Sequence, residues 1–114
     1  MRILLVGAGG VGDAIAKIAA RRSCFERVVV ADYALERAER TVAWIAQRHG
    51  PEVAARFAAD RIDASDEDVV AEVARRHGAT HVMNAVEPKF VMPVFRGAFA
   101  AGADYLDMAM SLSV

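Results

Sequence analysis

The sequence predicts an α/β fold, in which a doubly wound parallel sheet carries helices on both of its faces. Short apolar runs alternate with segments in which apolar residues recur every three or four positions, as they do in amphipathic helices. The apolar runs are continuous, which is typical of strands that are buried on both faces of a parallel sheet. With right-handed crossovers, about five strands in the order 3-2-1-4-5 form the natural topology.

Each element follows from its local pattern. The segments predicted as strands are short and mostly apolar, and in chain order they are Arg2–Val6, Arg27–Ala31, Ala55–Asp60, Thr80–Val86 and Asp104–Met108. The segments with helical spacing of apolar residues are Val11–Arg22, Ala34–His49, Asp66–Arg76 and Val91–Ala101.

Glycines mark where three of these helices end. Gly50, Gly78 and Gly102 each follow a helical stretch, where a residue in the left-handed conformation is favoured. His49 and His77 lie in the last turns, where a cationic side chain suits the negative end of the helix dipole. At the start of the third helix, Ser65 followed by Asp68 predicts a capping box with Ser65 as the N-cap.

Composition excludes several classes of protein. The chain has 114 residues, of which 55% are hydrophobic and 25% charged, which indicates one folded domain rather than a disordered chain. Its 14 basic and 15 acidic residues give a net charge of −1, without the basic excess of a nucleic-acid or membrane-surface binder. Cys24 is the single cysteine, so an internal disulfide is impossible and a cytoplasmic location is expected. No apolar stretch is long enough for a membrane span, and no metal-ligand cluster is evident.

A glycine motif links the first strand to the first helix. Gly7, Gly9 and Gly12 satisfy the spacing G-x-G-x-x-G. The first glycine permits a sharp turn, the second lets a diphosphate approach the backbone, and the third lets the helix pack close to the strand. The helix N-terminus would offer N–H groups and partial positive charge to that diphosphate. This context predicts a Rossmann-type dinucleotide-binding domain.

An acidic residue stands at the distance that this motif requires. Asp32 lies at the end of the second strand, twenty residues after Gly12, and could accept hydrogen bonds from the adenosine ribose. Because its carboxylate would repel a 2′-phosphate, it favours NAD over NADP as the cofactor. Arg37 is near enough to accommodate that phosphate, so NADP stays possible. The alternative role for Asp32 is an N-cap of the second helix.

Further polar residues end the next two strands. Asp63 could lie beside the adenine or be a solvated loop residue. Asn84 could meet the nicotinamide ribose or the diphosphate, or it could cap its strand in a turn. Lys89 is expected to be a solvated surface residue, and no catalytic residue is identified. The predicted cofactor-binding residues are Gly7, Ala8, Gly9, Gly10, Val11, Gly12, Asp32, Tyr33, Asp63, Asn84 and Ala85.

Several segments together resemble the N-terminal cofactor domain of the saccharopine dehydrogenase family. They are, in chain order, Ile3–Gly12, Val28–Asp32, Leu35–Ala38, Asp63–Asp66, Asn84–Ala85, Pro93–Val94 and Ala101–Asp107. The resemblance implies a nicotinamide-dependent oxidoreductase that transfers hydride to or from the carbon of an amino-acid-derived secondary amine. This sequence departs from the family pattern at Tyr33, because many members carry an arginine directly after the acidic residue that binds the ribose.

The resemblance also implies a longer parent enzyme, because such enzymes continue with a substrate-binding domain. We therefore expect residues 1–114 to be an excised N-terminal domain that binds cofactor without turnover. Apolar residues that would face the missing domain predict self-association, and they are Phe90, Val91, Met92, Phe95, Phe99, Met108 and Met110. Two alternatives stay open: a nucleotide-sensing regulatory domain like those of potassium transporters, and a scaffold that has lost its ligand.

Overall fold

The computed structural model describes residues 1–107, which form a five-stranded parallel sheet with helices on both faces. The strand order is 3-2-1-4-5, which confirms the predicted topology. The elements are β1 (Arg2–Val6), α1 (Gly10–Ala19), β2 (Arg27–Asp32), α2 (Leu35–His49), α3 (Pro51–Ala54), β3 (Phe57–Arg61), α4 (Glu67–Arg76), β4 (His81–Asn84), a 3-10 turn (Pro88–Phe90), α5 (Val91–Ala100) and β5 (Asp104–Asp107).

Alternating strand residues divide the core into two layers, because successive side chains of a strand point to opposite faces. Ile3 and Leu5 pack on one face against α1 and α2, whereas Leu4 and Val6 pack on the other against α4 and α5. All four side chains are buried. The central strand β1 therefore has no polar face, which explains its continuous apolar sequence.

The third helix begins with a different cap from the predicted one. Asp66 is the N-cap of α4, and its carboxylate accepts hydrogen bonds from the N–H groups of Asp68 at 3.0 Å and Val69 at 3.3 Å. The prediction of Ser65 as N-cap is wrong, because its hydroxyl donates to the Asp63 carboxylate instead. Asp66, one position later, competes for the same N–H groups, and its carboxylate is a stronger acceptor than the Ser65 hydroxyl.

Other element boundaries differ by a few residues. Helix α1 ends at Ala19 rather than Arg22, because the N–H groups of Arg21 and Arg22 bond carbonyls three residues back in tight turns. The short helix α3 was not predicted, and it moves the start of β3 from Ala55 to Phe57. Met108, the predicted end of the fifth strand, lies outside the described residues.

The predicted glycine stops are confirmed. Gly50, Gly78 and Gly102 all have positive φ angles, of 84°, 61° and 74°. His77 is the C-cap of α4, and its Nε2 also lies 2.7 Å from the Asp60 carboxylate. Partial burial acts to raise the pKa of Asp60, but hydrogen bonds from His77 and neighbouring groups outweigh it, so this pKa lies below its usual value.

Arg56 joins the start of β3 to the loop that follows α1. Its guanidinium donates hydrogen bonds to the backbone carbonyls of Phe25 at 2.7 Å, Arg22 at 2.9 Å and Ala20 at 3.2 Å. Two of these carbonyls lie just after α1 and the third lies just before β2. One side chain thus fixes this loop to the edge of the sheet.

Two glycines of the motif are required by the protein's own packing. A Cβ atom on Gly12 would lie 1.8 Å from the carbonyl oxygen of Gly7. Gly7 itself has a φ of 111°, and a Cβ there would lie 2.8 Å from a methyl group of Val86. Helix α1 consequently starts in direct contact with the end of β1. Within residues 1–107, no helix has the length and apolar character needed to cross a membrane.

We predict that Gly12→Ala lowers the free energy of unfolding by about 1–3 kcal/mol or more, because the added methyl group overlaps the Gly7 carbonyl. Gly10→Ala is the matched control, since a Cβ there meets nothing within 4 Å. Its free energy of unfolding should change by less than about 0.5 kcal/mol or increase slightly. Urea denaturation measures both, and equal destabilisation of the two variants would contradict the close contact.

Candidate functional site

A cleft of about 330 Å³ opens at the carboxyl ends of the strands, beside β1, where the chain order of the sheet reverses. This is the position at which ligands bind in open α/β sheets. Loops that follow β1, β2, β3 and β4 all contribute to it. The residues lining it are Val6, Gly7, Gly9, Asp32, Tyr33, Arg37, Ile62, Asp63, Ala64, Ala85, Val86, Glu87 and Phe90.

Gly9 lies at the tip of the glycine loop and faces open space. A Cβ on Gly9 would meet nothing within 4 Å, in contrast to Gly7 and Gly12. Gly9 is also the N-cap of α1, and no side chain caps this helix. The first N–H groups of a helix have no partner within it, so those of α1 are available to an anion at the cleft.

Asp32 connects the end of β2 to the glycine loop. One carboxylate oxygen accepts a hydrogen bond from the N–H of Ala8 at 2.7 Å, and the other accepts one from the N–H of Ala34 at 2.9 Å. The N-cap of α2 is Ala34, so the alternative role of Asp32 as that N-cap is wrong. Each oxygen keeps a second lone pair, which leaves Asp32 able to accept from a ligand in the cleft.

Tyr33 lines the cleft, and Arg61 packs against Tyr33. The Tyr33 side chain is 64% exposed, and the Arg61 guanidinium lies 4.7 Å from its ring centroid. The Arg61 Nε also donates to the Tyr33 carbonyl at 3.2 Å. The Tyr33 ring thus offers a flat aromatic surface at the cleft.

Asp63 lines the cleft where the chain leaves β3. Its carboxylate accepts hydrogen bonds from the Ser65 hydroxyl and, at 3.0 Å, from the Ser65 N–H. These bonds lower the pKa of Asp63 below its usual value, which keeps the side chain ionised at neutral pH. Asp63 is therefore a fixed negative charge at the cleft edge.

Asn84 is fully buried and does not line the cleft. Its Nδ2 donates to the Tyr105 hydroxyl at 3.0 Å, and its Oδ1 accepts from the N–H of Val86 at 3.0 Å. These are the bonds of a strand-capping turn residue, and a cofactor would have to compete with them. Burial raises the pKa of Tyr105, so its hydroxyl is neutral at physiological pH.

The other predicted site residues are divided between two places. Ala8 and Gly10 line a neighbouring pocket on the far side of Gly9, whereas Val11 and Gly12 line neither pocket. Ala85 lines the cleft as expected. Outside the cleft, the Lys89 ammonium pairs with Glu87 at 3.7 Å, in accordance with a surface role.

Sequence reasoning missed part of the cleft wall. Ile62, Ala64, Val86, Glu87 and Phe90 line it but were not named as site residues. All five follow β3 or β4 within a few residues. The rule that loops at the carboxyl ends of parallel strands form the site could have identified them.

Comparison with known proteins identifies the family to which the chain is similar. The family model described as "Saccharopine dehydrogenase NADP binding domain" matches residues 3–113. No curated protein sequence matches the chain significantly.

Solved structures share the fold. One is apo saccharopine dehydrogenase (L-Glu forming) from Saccharomyces cerevisiae, with a TM-score of 0.71 and 20% identity over 93% of this chain. Another is a UDP-glucose-4-epimerase from Stenotrophomonas maltophila with bound NAD, with a TM-score of 0.74 and 14% identity over 94% of this chain. The chain spans 21% of the yeast enzyme and 36% of the epimerase.

We predict that Asp32→Ala lowers the free energy of unfolding by about 1–3 kcal/mol, because the N–H groups of Ala8 and Ala34 lose their acceptor. Glu36→Ala is the control, since it removes an exposed carboxylate of the same helix region. Its effect should stay within about 0.5 kcal/mol. Urea denaturation that gave equal losses for both variants would show that Asp32 does not hold the loop.

Proposed function

Because the chain belongs to the family of saccharopine dehydrogenase NADP binding domains, we propose that it holds a nicotinamide dinucleotide in the cleft beside β1. The observation that carries this proposal is the contrast within the glycine motif. Gly7 and Gly12 are explained by contacts within the protein, whereas Gly9 leaves open space at an uncapped helix N-terminus. That space and the free N–H groups suit a diphosphate.

The lining of the cleft suggests where the remaining parts of the cofactor would lie. Asp32, next to the glycine loop, accepts hydrogen bonds from the adenosine ribose hydroxyls. The adenine lies towards Tyr33 and Asp63, and the nicotinamide end lies towards Ala85 and the loop after β4. Asn84 supports this end indirectly, because its bond to Val86 shapes the turn that Ala85 occupies.

We assign the domain to an oxidoreductase that transfers hydride between the nicotinamide ring and an amino-acid-derived secondary amine or imine. When bound, the oxidised nicotinamide ring would accept a hydride from the carbon next to nitrogen, and the nitrogen would lose a proton as the imine forms. The substrate must be held against the ring for this step. A further C-terminal domain would supply those contacts, so this chain alone binds cofactor without turnover.

A stand-alone nucleotide-sensing domain is the second interpretation that the sequence leaves open. The family match over residues 3–113 supports the oxidoreductase interpretation instead. The oxidoreductase interpretation requires a substrate domain, whereas the nucleotide-sensing interpretation does not. The geometry of the cleft is compatible with both interpretations.

We predict that calorimetric titration detects binding of NAD or NADP to the purified chain, and that Gly9→Ala weakens it at least about tenfold. The added methyl group would occupy the space left for the diphosphate. The variant's unfolding midpoint serves as the folding control. Absence of binding by either dinucleotide, oxidised or reduced, would overturn the proposed function, and steady turnover by the chain alone would overturn the assignment of substrate contacts to another domain.

Helix α5 has an exposed apolar surface, which we call the docking face. Met92, Phe95 and Phe99 are exposed at helical spacing, and Phe99 is 77% exposed. The Phe95 ring stacks on that of Phe99 with 6.4 Å between centroids and meets that of Tyr105 edge-on at 5.5 Å. Of the other apolar residues named for this role, Phe90 and Val91 are half-buried and Phe90 lines the cleft, whereas Met108 and Met110 lie outside the described residues. We propose that the parent's C-terminal domain covers this face.

Without such a domain, the same face should drive self-association. We predict a concentration-dependent increase in mass by light scattering, and its reduction in Phe99→Ser. Ile18→Ser is the matched control, because Ile18 is 52% exposed on α1, away from this face. A monomeric mass at high concentration, or equal effects of both variants, would contradict the docking face.

A further inference from the structure

Arginines are concentrated at the edge of the sheet where the strands begin, opposite the cleft. Two shallow hollows lie there, with volumes of about 540 and 410 Å³. The first lies between the starts of β1 and β2 and the end of α4, and the second lies between the end of α1, α3 and the start of β3. Seven arginines line the two hollows, and we call them the basic edge: Arg2, Arg27, Arg75 and Arg76 in the first, and Arg21, Arg22 and Arg56 in the second.

This concentration of positive charge contrasts with the chain's net charge of −1. The basic edge contains half of the chain's 14 basic residues. Among residues 1–107, Glu52 is the one acidic residue that lines either hollow. The rest of the chain consequently carries an excess of acidic residues. An acidic partner would therefore be attracted to one edge of the molecule and repelled by the remainder.

Carboxylates within residues 1–107 compensate for two of these seven charges. Arg2 pairs with Glu26 at 3.7 Å, and Arg76 pairs with Asp60 at 3.0 Å and with Glu72 at 2.9 Å. The other five guanidinium groups form no ion pair with a carboxylate in this part of the chain.

Backbone carbonyls orient two of those five groups without neutralising them. Arg56 donates hydrogen bonds to three carbonyls between α1 and β2, and Arg75 donates to the Ala100 carbonyl at 2.9 Å. Because a carbonyl group carries no net charge, both arginines keep their positive charge in a fixed position.

The remaining three arginines are available to a ligand. Arg21, Arg22 and Arg27 have no side-chain hydrogen bond or ion pair to any residue in the range 1–107. Arg27 is the register partner of Arg2, on the neighbouring strand. Adjacent strands lie about 4.8 Å apart, so the two like charges repel each other unless an anion lies between them.

Helix ends explain part of this pattern but not all of it. The arginines that follow α1, and those in the last turn of α4, suit the negative ends of the helix dipoles. Arg2 and Arg27 are instead the first residues of β1 and β2, where no helix end favours a cation. Their repulsion is a cost that folding alone does not require and that binding of an anion would remove.

We propose that the basic edge binds an acidic segment of a partner protein. The guanidinium group presents paired N–H donors that match the two oxygens of a carboxylate. Within the described part of the chain, neither hollow is lined by Phe, Tyr or Trp, on which the bases of a single-stranded nucleic acid would stack. A long nucleic acid would also extend over the acidic remainder of the surface, whereas a short acidic segment contacts the basic edge alone.

The partner and the cofactor would occupy opposite edges of the sheet. The cleft lies at the carboxyl ends of the strands, whereas the basic edge lies at their starts. The docking face on α5 is a third surface, because none of its exposed apolar residues lines either hollow. An acidic partner could thus bind while the cleft is occupied, and the inference does not depend on the proposed function.

The test is fluorescence anisotropy of a labelled peptide of alternating glutamate and serine, mixed with the purified chain. A peptide of about ten residues spans about 33 Å, which is enough to cross this edge. We expect binding at low ionic strength that weakens at least about tenfold between about 20 and 200 mM salt, because screening weakens attraction between exposed charges. A peptide of alternating lysine and serine should not bind.

Paired variants locate the binding surface. Arg22→Gln combined with Arg27→Gln removes one unpaired charge from each hollow and should weaken peptide binding at least about fivefold. Arg40→Gln combined with Arg96→Gln is the control, because it removes the same charge from α2 and α5, away from both hollows. Its peptide affinity should change by less than about twofold.

Several outcomes would overturn the proposal. They are the absence of glutamate-peptide binding at low salt, equal weakening in the two double variants, and tighter binding of a single-stranded DNA of the same charge, which would assign the edge to nucleic acid. The variant of Arg22 and Arg27 should keep the unfolding midpoint and the NAD and NADP affinities of the wild type. A loss of both would contradict the assignment of these side chains to a separate surface, and failure of the wild type to bind either dinucleotide would count against the proposed function alone.

Discussion

The contact between Gly7 and Gly12 is the constraint on which the cleft depends. With no Cβ on either residue, α1 begins directly against the end of β1, and the intervening loop has room for only a few residues. This closeness places Gly9 at the tip, beside open space, and brings the N–H of Ala8 within reach of Asp32 on the neighbouring strand. Backbone packing and ligand access thus arise from the same tight turn.

The fold was largely predictable because its signals are local. Continuous apolar runs such as Val28–Val30 are buried strands, and the positive φ angles of Gly50 and Gly102 follow from helix termination. Prediction failed where two acceptors compete for the same N–H groups, as with Ser65 and Asp66. Spacing alone cannot decide such a competition, since it depends on which side chain the backbone directs towards the helix axis.

The candidate site was predictable as a set of loops but not as a set of contacts. The motif spacing indicates the glycine loop and Asp32, yet the bond from Ala8 to Asp32 depends on how β1 and β2 pair. Asn84 illustrates the same limit, because its partner Tyr105 is brought near by the register between β4 and β5. The number of residues between two positions in the sequence does not indicate which side chains pair in the fold.

The hydrogen bonds from Arg56 have a consequence for how the molecule opens. They attach the loop after α1, with its exposed Cys24, to the start of the edge strand β3. Loops and edge strands ordinarily fluctuate as separate units of low stability. Because the loop cannot detach until Arg56 releases three carbonyls, we expect the loop and the edge strand to open as one cooperative unit. Amide hydrogens of the loop should then exchange with solvent at the rate at which the sheet edge opens, and the segment around Cys24 should be protected from proteolysis to the same degree.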